Sequence, residues 1–199
     1  MYPKNILRCY DKAIDKKTCN KIIKVGKSKK LQDAKIEAHG KPTVDEKIRR
    51  TNLSWTNESW IYDLVTPYIE NANIANKWNY HWDWCENIQF GVYTKASHYA
   101  WHCDIRKGPY TSEDPHFNNK VRKISLILTL NDKFKGGVVE IWNKTPEKFK
   151  GKQDIFRVKE MANQGSIIVF NSVTFHRVLP VTEGTRYSLV VWALGNDWK

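Results

Sequence analysis

The stretch Lys123-Ile-Ser-Leu-Ile-Leu-Thr-Leu-Asn-Asp-Lys-Phe-Lys-Gly-Gly-Val-Val-Glu-Ile-Trp142 contains two apolar runs separated by a turn-rich segment. Lys123 to Leu130 and Val138 to Trp142 have the length and the β-branched composition of strands. Asn131-Asp132 and Lys135-Gly136-Gly137 are typical of turns. No apolar residues at helical spacing lie between the two runs, so this stretch predicts a core built from β-strands.

Strand-like runs of the same kind recur from about Tyr80 to the end of the chain. Further runs are Asn87 to Tyr93, His98 to Cys103, Gly165 to Phe170 and Arg186 to Leu194. Many short strands without intervening helices favour a sandwich or jelly roll. We therefore predict a mainly β (α+β) chain whose residues 81–199 form a jelly-roll core.

The first 80 residues have a different pattern. Asp15 is a candidate helix cap, and Cys19, Ile22, Ile23 and Gly26 follow at helical spacing, which predicts an amphipathic helix ending near Gly26. A second helix is predicted over Trp60 to Asn73, with Pro67 as a kink or a boundary. The polar segment Leu31 to Lys47 between them is predicted to be a loop. Residues 1–80 are thus expected to form a helical N-terminal support within a single domain, 1–199.

The composition fits one globular domain. Hydrophobic residues make up 41% and aromatic residues 13% of 199 residues, enough apolar surface to offset the entropy of ordering the chain. The four cysteines lack a CxxC pairing, and we see neither a secretory signal nor a run of about 20 apolar residues. We therefore expect a cytoplasmic protein with reduced thiols and no membrane contact.

The chain is strongly basic, with a formal net charge of +12 from 33 Lys and Arg against 21 Asp and Glu. Such a charge favours acidic ligands, acidic proteins or nucleic acid as partners. The basic residues cluster in Lys12 to Lys35 and in Lys47 to Arg50. We interpret both clusters as solvated surface rather than as a nucleic-acid footprint.

A candidate pair of metal ligands lies in Tyr99-Ala-Trp-His102-Cys-Asp104. Residues two apart on a strand point to the same face, so His102 and Asp104 can converge on one ion while Cys103 points away. A single His-x-Asp occurs often by chance, and a surface histidine beside a turn is the competing interpretation. The pair therefore indicates a metal site only if the chain supplies a third ligand.

His176 supplies that third ligand, and Arg186 follows it ten residues later after a glycine-containing turn. Two histidines and one carboxylate form the facial triad suited to Fe(II), which leaves three coordination positions open for a 2-oxo acid and dioxygen. The planar guanidinium of Arg186 suits the distal carboxylate of 2-oxoglutarate. A surface ion pair is the alternative role for Arg186.

Taken in order, these segments resemble a known family. They are Gln89 to Tyr93, Tyr99 to Asp104, Lys123 to Asn131, Gly136-Gly137, Gly165-Ser166, His176 to Val181 and Gly184 to Leu189. The sequence is similar to the prolyl 4-hydroxylase-like branch of the 2-oxoglutarate/Fe(II) oxygenases over about Ile88 to Gly195. The N-terminal part matches only in having helices before the core.

The resemblance implies a double-stranded β-helix, the cupin-like form of the jelly roll, with the metal at one mouth of the barrel. It implies Fe(II), 2-oxoglutarate as cosubstrate and O2, with ascorbate as a further candidate. Tyr93 matches a family tyrosine that hydrogen-bonds the cosubstrate. Thr129 stands where related hydroxylases often have a tyrosine, which implies a shorter or water-mediated contact. Ser188, two residues after Arg186, faces the same way and is a candidate hydroxyl donor.

The expected function is hydroxylation of an unactivated C–H bond, first of all in a prolyl residue of a peptide or protein, with succinate and CO2 as coproducts. A free amino acid or another small molecule is the second candidate substrate. Nucleic-acid demethylation ranks third, because that branch typically has a second arginine where this chain has Trp192.

Two rivals come from other classes of protein: a non-catalytic jelly-roll module that binds 2-oxoglutarate or a metal, and a Zn(II) hydrolase. The first usually loses a ligand or the arginine, and the second has no use for Arg186. Tyr99 and Trp101 are expected either to contact substrate or to pack in the core. Arg106, Lys107 and residues 108–119 form either a substrate lip or a solvated loop.

Overall fold

Two antiparallel β-sheets packed face to face hold most of the strands in the computed structural model, which describes residues 6–38, 41–106, 108–142 and 155–197. The helices are α1 (Lys16–Ser28) and α2 (Ser59–Ala75), with a short 3-10 helix at Lys159–Ala162. The strands are β1 (Leu7–Tyr10), β2 (Gln32–Asp33), β3 (Ile36–Ala38), β4 (Lys41–Thr43), β5 (Arg49–Arg50), β6 (Asn52–Thr56), β7 (Trp84–Cys85), β8 (Ile88–Tyr93), β9 (His98–His102), β10 (Lys120–Thr129), β11 (Phe134–Gly136), β12 (Val139–Trp142), β13 (Ile155–Arg157), β14 (Ile167–Asn171), β15 (Phe175–Val178), β16 (Val181–Gly184) and β17 (Arg186–Asn196).

The larger sheet runs in the order β1-β14-β10-β17-β8-β6-β2, with β7 paired to β17, and the smaller sheet runs β13-β12-β15-β9-β5. Ile127 and Phe170 of the larger sheet pack against Ile141 of the smaller sheet in one buried cluster. This pairing of two antiparallel sheets confirms the predicted mainly β jelly-roll class.

The two helices cover the other face of the larger sheet. Asp15 caps α1 by accepting a hydrogen bond from the backbone N–H of Thr18 at 2.9 Å, as the sequence predicted. Gly26 lies against Phe90 so closely that an added Cβ would fall 2.2 Å from the ring. Pro67 lies inside α2, which runs on to Ala75. The helices therefore brace the sheet that carries half of the candidate site.

The first 80 residues are not only helical, because β1, β2 and β6 extend the larger sheet and β5 extends the smaller one. The loop predicted over Leu31 to Lys47 is wrong in part, since it contains β2 and the β3-β4 hairpin. Its residues 39 and 40 lie outside the described part of the chain. These strands pair with distant segments, β1 with β14 for example, so local sequence carries little signal for them.

The four cysteines are free thiols. Burial, reinforced by Glu160 and Asp11, raises the pKa of Cys9 to about 12, so this thiol stays protonated near neutral pH. None of the described helices combines the length and the apolar composition needed to cross a membrane.

Candidate metal centre

His102, Asp104 and His176 lie together at the junction of two neighbouring strands of the smaller sheet. His102 ends β9 and is the direct cross-strand partner of His176 on β15. One potential ligand atom from each of the three residues lies within 4.8 Å of the others. Asp104 Oδ1 is 3.7 Å from His102 Nε2, and Asp104 Oδ2 is 3.7 Å from His176 Nε2.

Backbone carbonyls orient both imidazole rings. Nδ1 of His102 lies 2.8 Å from the carbonyl oxygen of Ala100, and Nδ1 of His176 lies 3.0 Å from that of Thr174. Donation from Nδ1–H places the proton on that nitrogen and leaves the Nε2 lone pair facing Asp104. The two histidines are therefore held in the form that ligates a divalent metal.

The ionisation states suit a metal as well. Burial and the neighbouring His176 lower the pKa of His102 to about 3, so its imidazole is neutral at physiological pH. Burial alone would raise the pKa of Asp104, but His176, His102 and Arg122 outweigh it and lower that pKa to about 2. Asp104 Oδ2 is buried without a hydrogen-bond partner. A carboxylate with an unsatisfied buried oxygen fits a bound cation.

An irregularity in β9 decides which aromatic residue faces the metal site. The pairing of β15 with β9 shifts by one residue between His102 and Tyr99, so that both side chains point inward. The Tyr99 ring stacks on the His102 ring with centroids 3.4 Å apart. Trp101 instead contacts Trp142 and Arg177. The sequence left the roles of Tyr99 and Trp101 undecided between substrate contact and packing. In the structure Tyr99 lines the cavity at the metal site and Trp101 does not.

Arg186 is a buried cation without a counter-charge in the described structure. It is 1% exposed, and its Nε and Nη2 atoms have no hydrogen-bond partner. Burial lowers the pKa of Arg186 from its ordinary value, against the opposing effect of Tyr93. Gly137, with φ of +59°, lets the chain pass the side chain, because an added Cβ would lie 2.9 Å from Arg186 Cδ. The protein thus buries a guanidinium two of whose nitrogens lack an acceptor.

The three predicted supporting residues have different surroundings. Tyr93 on β8 is the cross-strand partner of Arg186, and its ring centre lies 5.3 Å from the guanidinium carbon. Thr129 is fully buried and donates its hydroxyl proton to the carbonyl of Met161 at 3.0 Å, which leaves only its lone pairs for a ligand. Ser188 is buried opposite Thr129 and Gly91. The cosubstrate roles of all three stay predictions.

A cavity of about 670 Å³ opens beside the triad. His102, Asp104, His176, Tyr93 and Trp192 are among the residues that line it. Arg186 does not line it and lies next to Tyr93, so Tyr93 stands where the cavity approaches Arg186. Trp55 and Trp192 form an aromatic pair in the wall, with ring centres 6.3 Å apart.

Sequence reasoning missed a charged cluster beside Asp104. Arg122 donates from Nε and Nη2 to the two carboxylate oxygens of Glu86, at 2.5 and 2.7 Å, and from Nη1 to the Asp104 carbonyl at 3.3 Å. Tyr110 donates to the same carboxylate at 2.7 Å. The three side chains come from three separate segments, so no local pattern signals the cluster.

Arg49 contradicts the interpretation of Lys47 to Arg50 as wholly solvated surface. It is 7% exposed and lines the cavity, whereas its neighbour Arg50 is exposed. Both residues lie on β5, where successive side chains point to opposite faces. A charge cluster at strand spacing therefore contributes one residue to the interior and the next to solvent.

The other described histidines stay apart from the triad. His98 contacts the carbonyls of Ala96 and Lys47, and His116 stacks on Trp84. His39 lies outside the described residues. His98 and His116 are therefore locally bonded residues outside the triad.

Comparisons with known proteins are consistent with this geometry. A family model described as the 2OG-Fe(II) oxygenase superfamily matches residues 88–194. No curated protein matches the sequence.

Solved structures match the fold over nearly the whole chain. A prolyl-4-hydroxylase from Pseudomonas putida is 18% identical with a TM-score of 0.65, covering 94% of this chain and 91% of its own. A collagen prolyl hydroxylase from Paramecium Bursaria Chlorella virus-1, solved with 2-oxoglutarate, is 16% identical with a TM-score of 0.64 and 96% coverage of both chains. A prolyl hydroxylase from Trichoplax adhaerens, in complex with a hypoxia inducible factor peptide fragment, is 15% identical with a TM-score of 0.69, covering 95% and 83%.

Proposed function

Because the chain belongs to the 2OG-Fe(II) oxygenase superfamily, we propose that it is an Fe(II)- and 2-oxoglutarate-dependent dioxygenase that hydroxylates an unactivated C–H bond. The observation that carries the proposal is the pairing of a His-Asp-His triad with the unmatched guanidinium of Arg186. A metal site alone fits many reactions. A buried cation that lacks a carboxylate, next to such a site, fits a cosubstrate with two acidic ends.

In this proposal each residue has a defined task. His102 and His176 bind Fe(II) through Nε2, and Asp104 binds it through its carboxylate. Arg186 pairs with the distal carboxylate of 2-oxoglutarate in a site from which Gly137 and Tyr93 exclude water. Bound Fe(II), with 2-oxoglutarate and O2, supplies the oxidising chemistry, and succinate and CO2 leave as coproducts. Ascorbate as a reductant, the finer roles of Tyr93, Thr129 and Ser188, and a cytoplasmic location inferred from the free thiols belong to the same proposal.

A prolyl residue of a peptide or protein is our first candidate substrate. The support is the sequence resemblance, the fold shared with three prolyl hydroxylases and a cavity large enough for a side chain with flanking backbone. A free amino acid or another small molecule is the second candidate, because the cationic and aromatic residues that line the cavity suit such a molecule as well as a peptide. A non-catalytic jelly-roll module that binds 2-oxoglutarate or a metal is the alternative to an enzyme.

Release of succinate from 2-oxoglutarate tests the proposal directly. We expect the protein with Fe(II) and O2 to form succinate, and His176→Ala to form none because the triad has lost a ligand. His116→Ala, which removes an exposed histidine outside the site, is the matched control and is expected to retain the activity. If the wild-type protein neither binds nor turns over 2-oxoglutarate, the dioxygenase proposal fails.

A further inference from the structure

Arg49 is a second buried arginine without a carboxylate partner in the described structure. Its Nη2 donates to Gln89 Oε1 at 3.1 Å, and its Nε has no hydrogen-bond partner. The guanidinium lies 4.3 Å above the Tyr99 ring, which stacks in turn on His102. A charged group held by one neutral amide and one ring is incompletely compensated for its burial.

The other cations of the cavity are not equivalent. Arg122 has the Glu86 carboxylate on two of its nitrogens, so the protein itself neutralises that charge. The charged lining residues otherwise comprise two anions, Asp33 and Asp104, and the cations Lys35, Arg49 and Arg106. Asp104 faces the two histidines, and Asp33 accepts a hydrogen bond from Asn52. Apart from Arg122, the cavity lining therefore carries more cations than anions, and Arg49 is the buried one of these cations.

The position of Arg49 separates it from the cosubstrate end of the site. Its partner Gln89 pairs with Val190, whereas Tyr93 pairs with Arg186. Gln89 and Tyr93 are four residues apart on β8, which is about 13 Å along a strand. Arg49, Gln89, Val190 and Trp192 all line the cavity, whereas Arg186 does not.

We propose that Arg49, held in place by Gln89 and Tyr99, binds a carboxylate of the substrate, so that the enzyme acts on a carboxylate-bearing molecule. A guanidinium presents Nε and a terminal nitrogen side by side, the geometry that a carboxylate matches. The carboxylate belongs either to a free amino acid or to an acidic residue beside the oxidised residue of a peptide. The inference rests on the proposed dioxygenase function and specifies its substrate class.

Substrate pairs that differ only in a carboxylate test this inference. One pair is L-proline and L-prolinamide, and the other is a short peptide with Glu or Gln on either side of its proline. Substrate-stimulated succinate formation is measured with each compound for the wild type, Arg49→Gln, Gln89→Glu and Arg50→Gln. Arg50→Gln removes the same charge from an exposed neighbour whose ion pair with Glu46 lies on the surface. Gln89→Glu keeps Arg49 but gives it an internal carboxylate, which covers the case in which Arg49→Gln does not fold.

We expect the wild type to favour the carboxylate member of one pair by about tenfold or more in kcat/KM, the usual worth of a charged hydrogen bond. The pair that shows the preference identifies the source of the carboxylate. Arg49→Gln and Gln89→Glu should reduce the preference to about twofold or less, and Arg50→Gln should keep it. In Arg49→Gln the KM for the substrate should rise more than the KM for 2-oxoglutarate.

The inference is overturned if the wild type treats both members of both pairs alike, including the case in which none of the four compounds stimulates turnover. Retention of the preference in Arg49→Gln overturns it too, as does a rise confined to the KM for 2-oxoglutarate. Uncoupled turnover of 2-oxoglutarate is recorded in the same samples. Its absence from the wild type would reject the dioxygenase proposal itself, which distinguishes that failure from a failure of the substrate class alone.

Discussion

Two arginines lie beside strand β17 or within it, and they differ in their counter-charges: Arg122 of β10 is largely buried next to Trp192, and Arg186, the first residue of β17, is fully buried. At the Trp192 end, Arg122 lies 3.8 Å from the Trp192 ring and is clamped by Glu86 through two hydrogen bonds. At the Arg186 end, the guanidinium has two nitrogen atoms without partners and no carboxylate beside it among the described residues.

The difference distinguishes a charged residue that stabilises the fold from one that is available to bind a ligand. A buried ion pair that the protein completes by itself holds Glu86, Tyr110 and the Asp104 backbone in one arrangement. A buried cation that the protein leaves incomplete lowers stability unless a ligand supplies the missing anion. Arg122 is therefore expected to matter for folding, and Arg186 for binding.

Arg122→Leu should produce the largest change in stability. Removing the cation leaves Glu86 buried without its partner, and such a loss costs about 3–5 kcal/mol. Urea unfolding of the ligand-free protein measures it, with Arg50→Leu as an exposed control. A loss under about 1 kcal/mol would show that Glu86 is compensated without Arg122.

Acid should destabilise the metal end of the cavity by a smaller amount. The pKa of His102 falls from its ordinary 6.5 to about 3 on folding. Between these two pH values His102 is therefore protonated in the unfolded chain and neutral in the folded chain. Stability from this group is complete above pH 6.5 and is lost as the pH falls toward 3, about 2 kcal/mol of it by about pH 5. Urea unfolding of the metal-free protein at pH 6.5 and at pH 5 should show this fall in the free energy of unfolding, and His102→Gln should reduce it. An unchanged fall in His102→Gln would contradict the assignment.

Gly137→Ala should have a moderate effect at the Arg186 end. The left-handed backbone and the approach to Arg186 Cδ together should cost about 1 kcal/mol and raise the KM for 2-oxoglutarate several-fold. Gly108→Ala is the matched control, because an added Cβ there meets no atom within 4 Å. Equal behaviour of the two variants would mean that Gly137 does not set the position of the arginine.

Arg186→Leu should change the stability of the ligand-free protein least. Exchange of an unmatched buried cation for an apolar side chain should lower the free energy of unfolding by less than about 1 kcal/mol, or raise it. The comparison with Arg122→Leu under the same conditions is the measurement. A loss as large as that of Arg122→Leu would reveal a hidden internal partner of Arg186 and remove the contrast.

Local patterns predicted the parts of this molecule whose signals are local. The cap at Asp15 and the two-residue spacing of His102 and Asp104 both depend on neighbouring residues. Lys135-Gly136-Gly137, predicted as a turn, instead includes the end of strand β11, which pairs with β16. The sequence analysis did not predict strands β1 and β6, because each forms only by pairing with a strand far along the chain.

The same limit applies to the candidate site. The Arg122–Glu86 pair joins residues 36 positions apart, and Arg49 resembled its solvated neighbours until the fold buried one of two adjacent arginines. The ligand triad was accessible because metal chemistry restricts residue types so strongly. Counter-charges are not restricted in this way, and their pairing depends on the whole fold.

Calorimetric titration of 2-oxoglutarate into the anaerobic protein with Fe(II) tests the central contrast most directly. We expect one binding site that requires Fe(II) and that weakens by about 30-fold or more in Arg186→Leu, whereas folded Arg122→Leu should retain it. Binding of equal strength in the wild type and in Arg186→Leu would contradict it, because the unmatched guanidinium would then have no part in holding the cosubstrate.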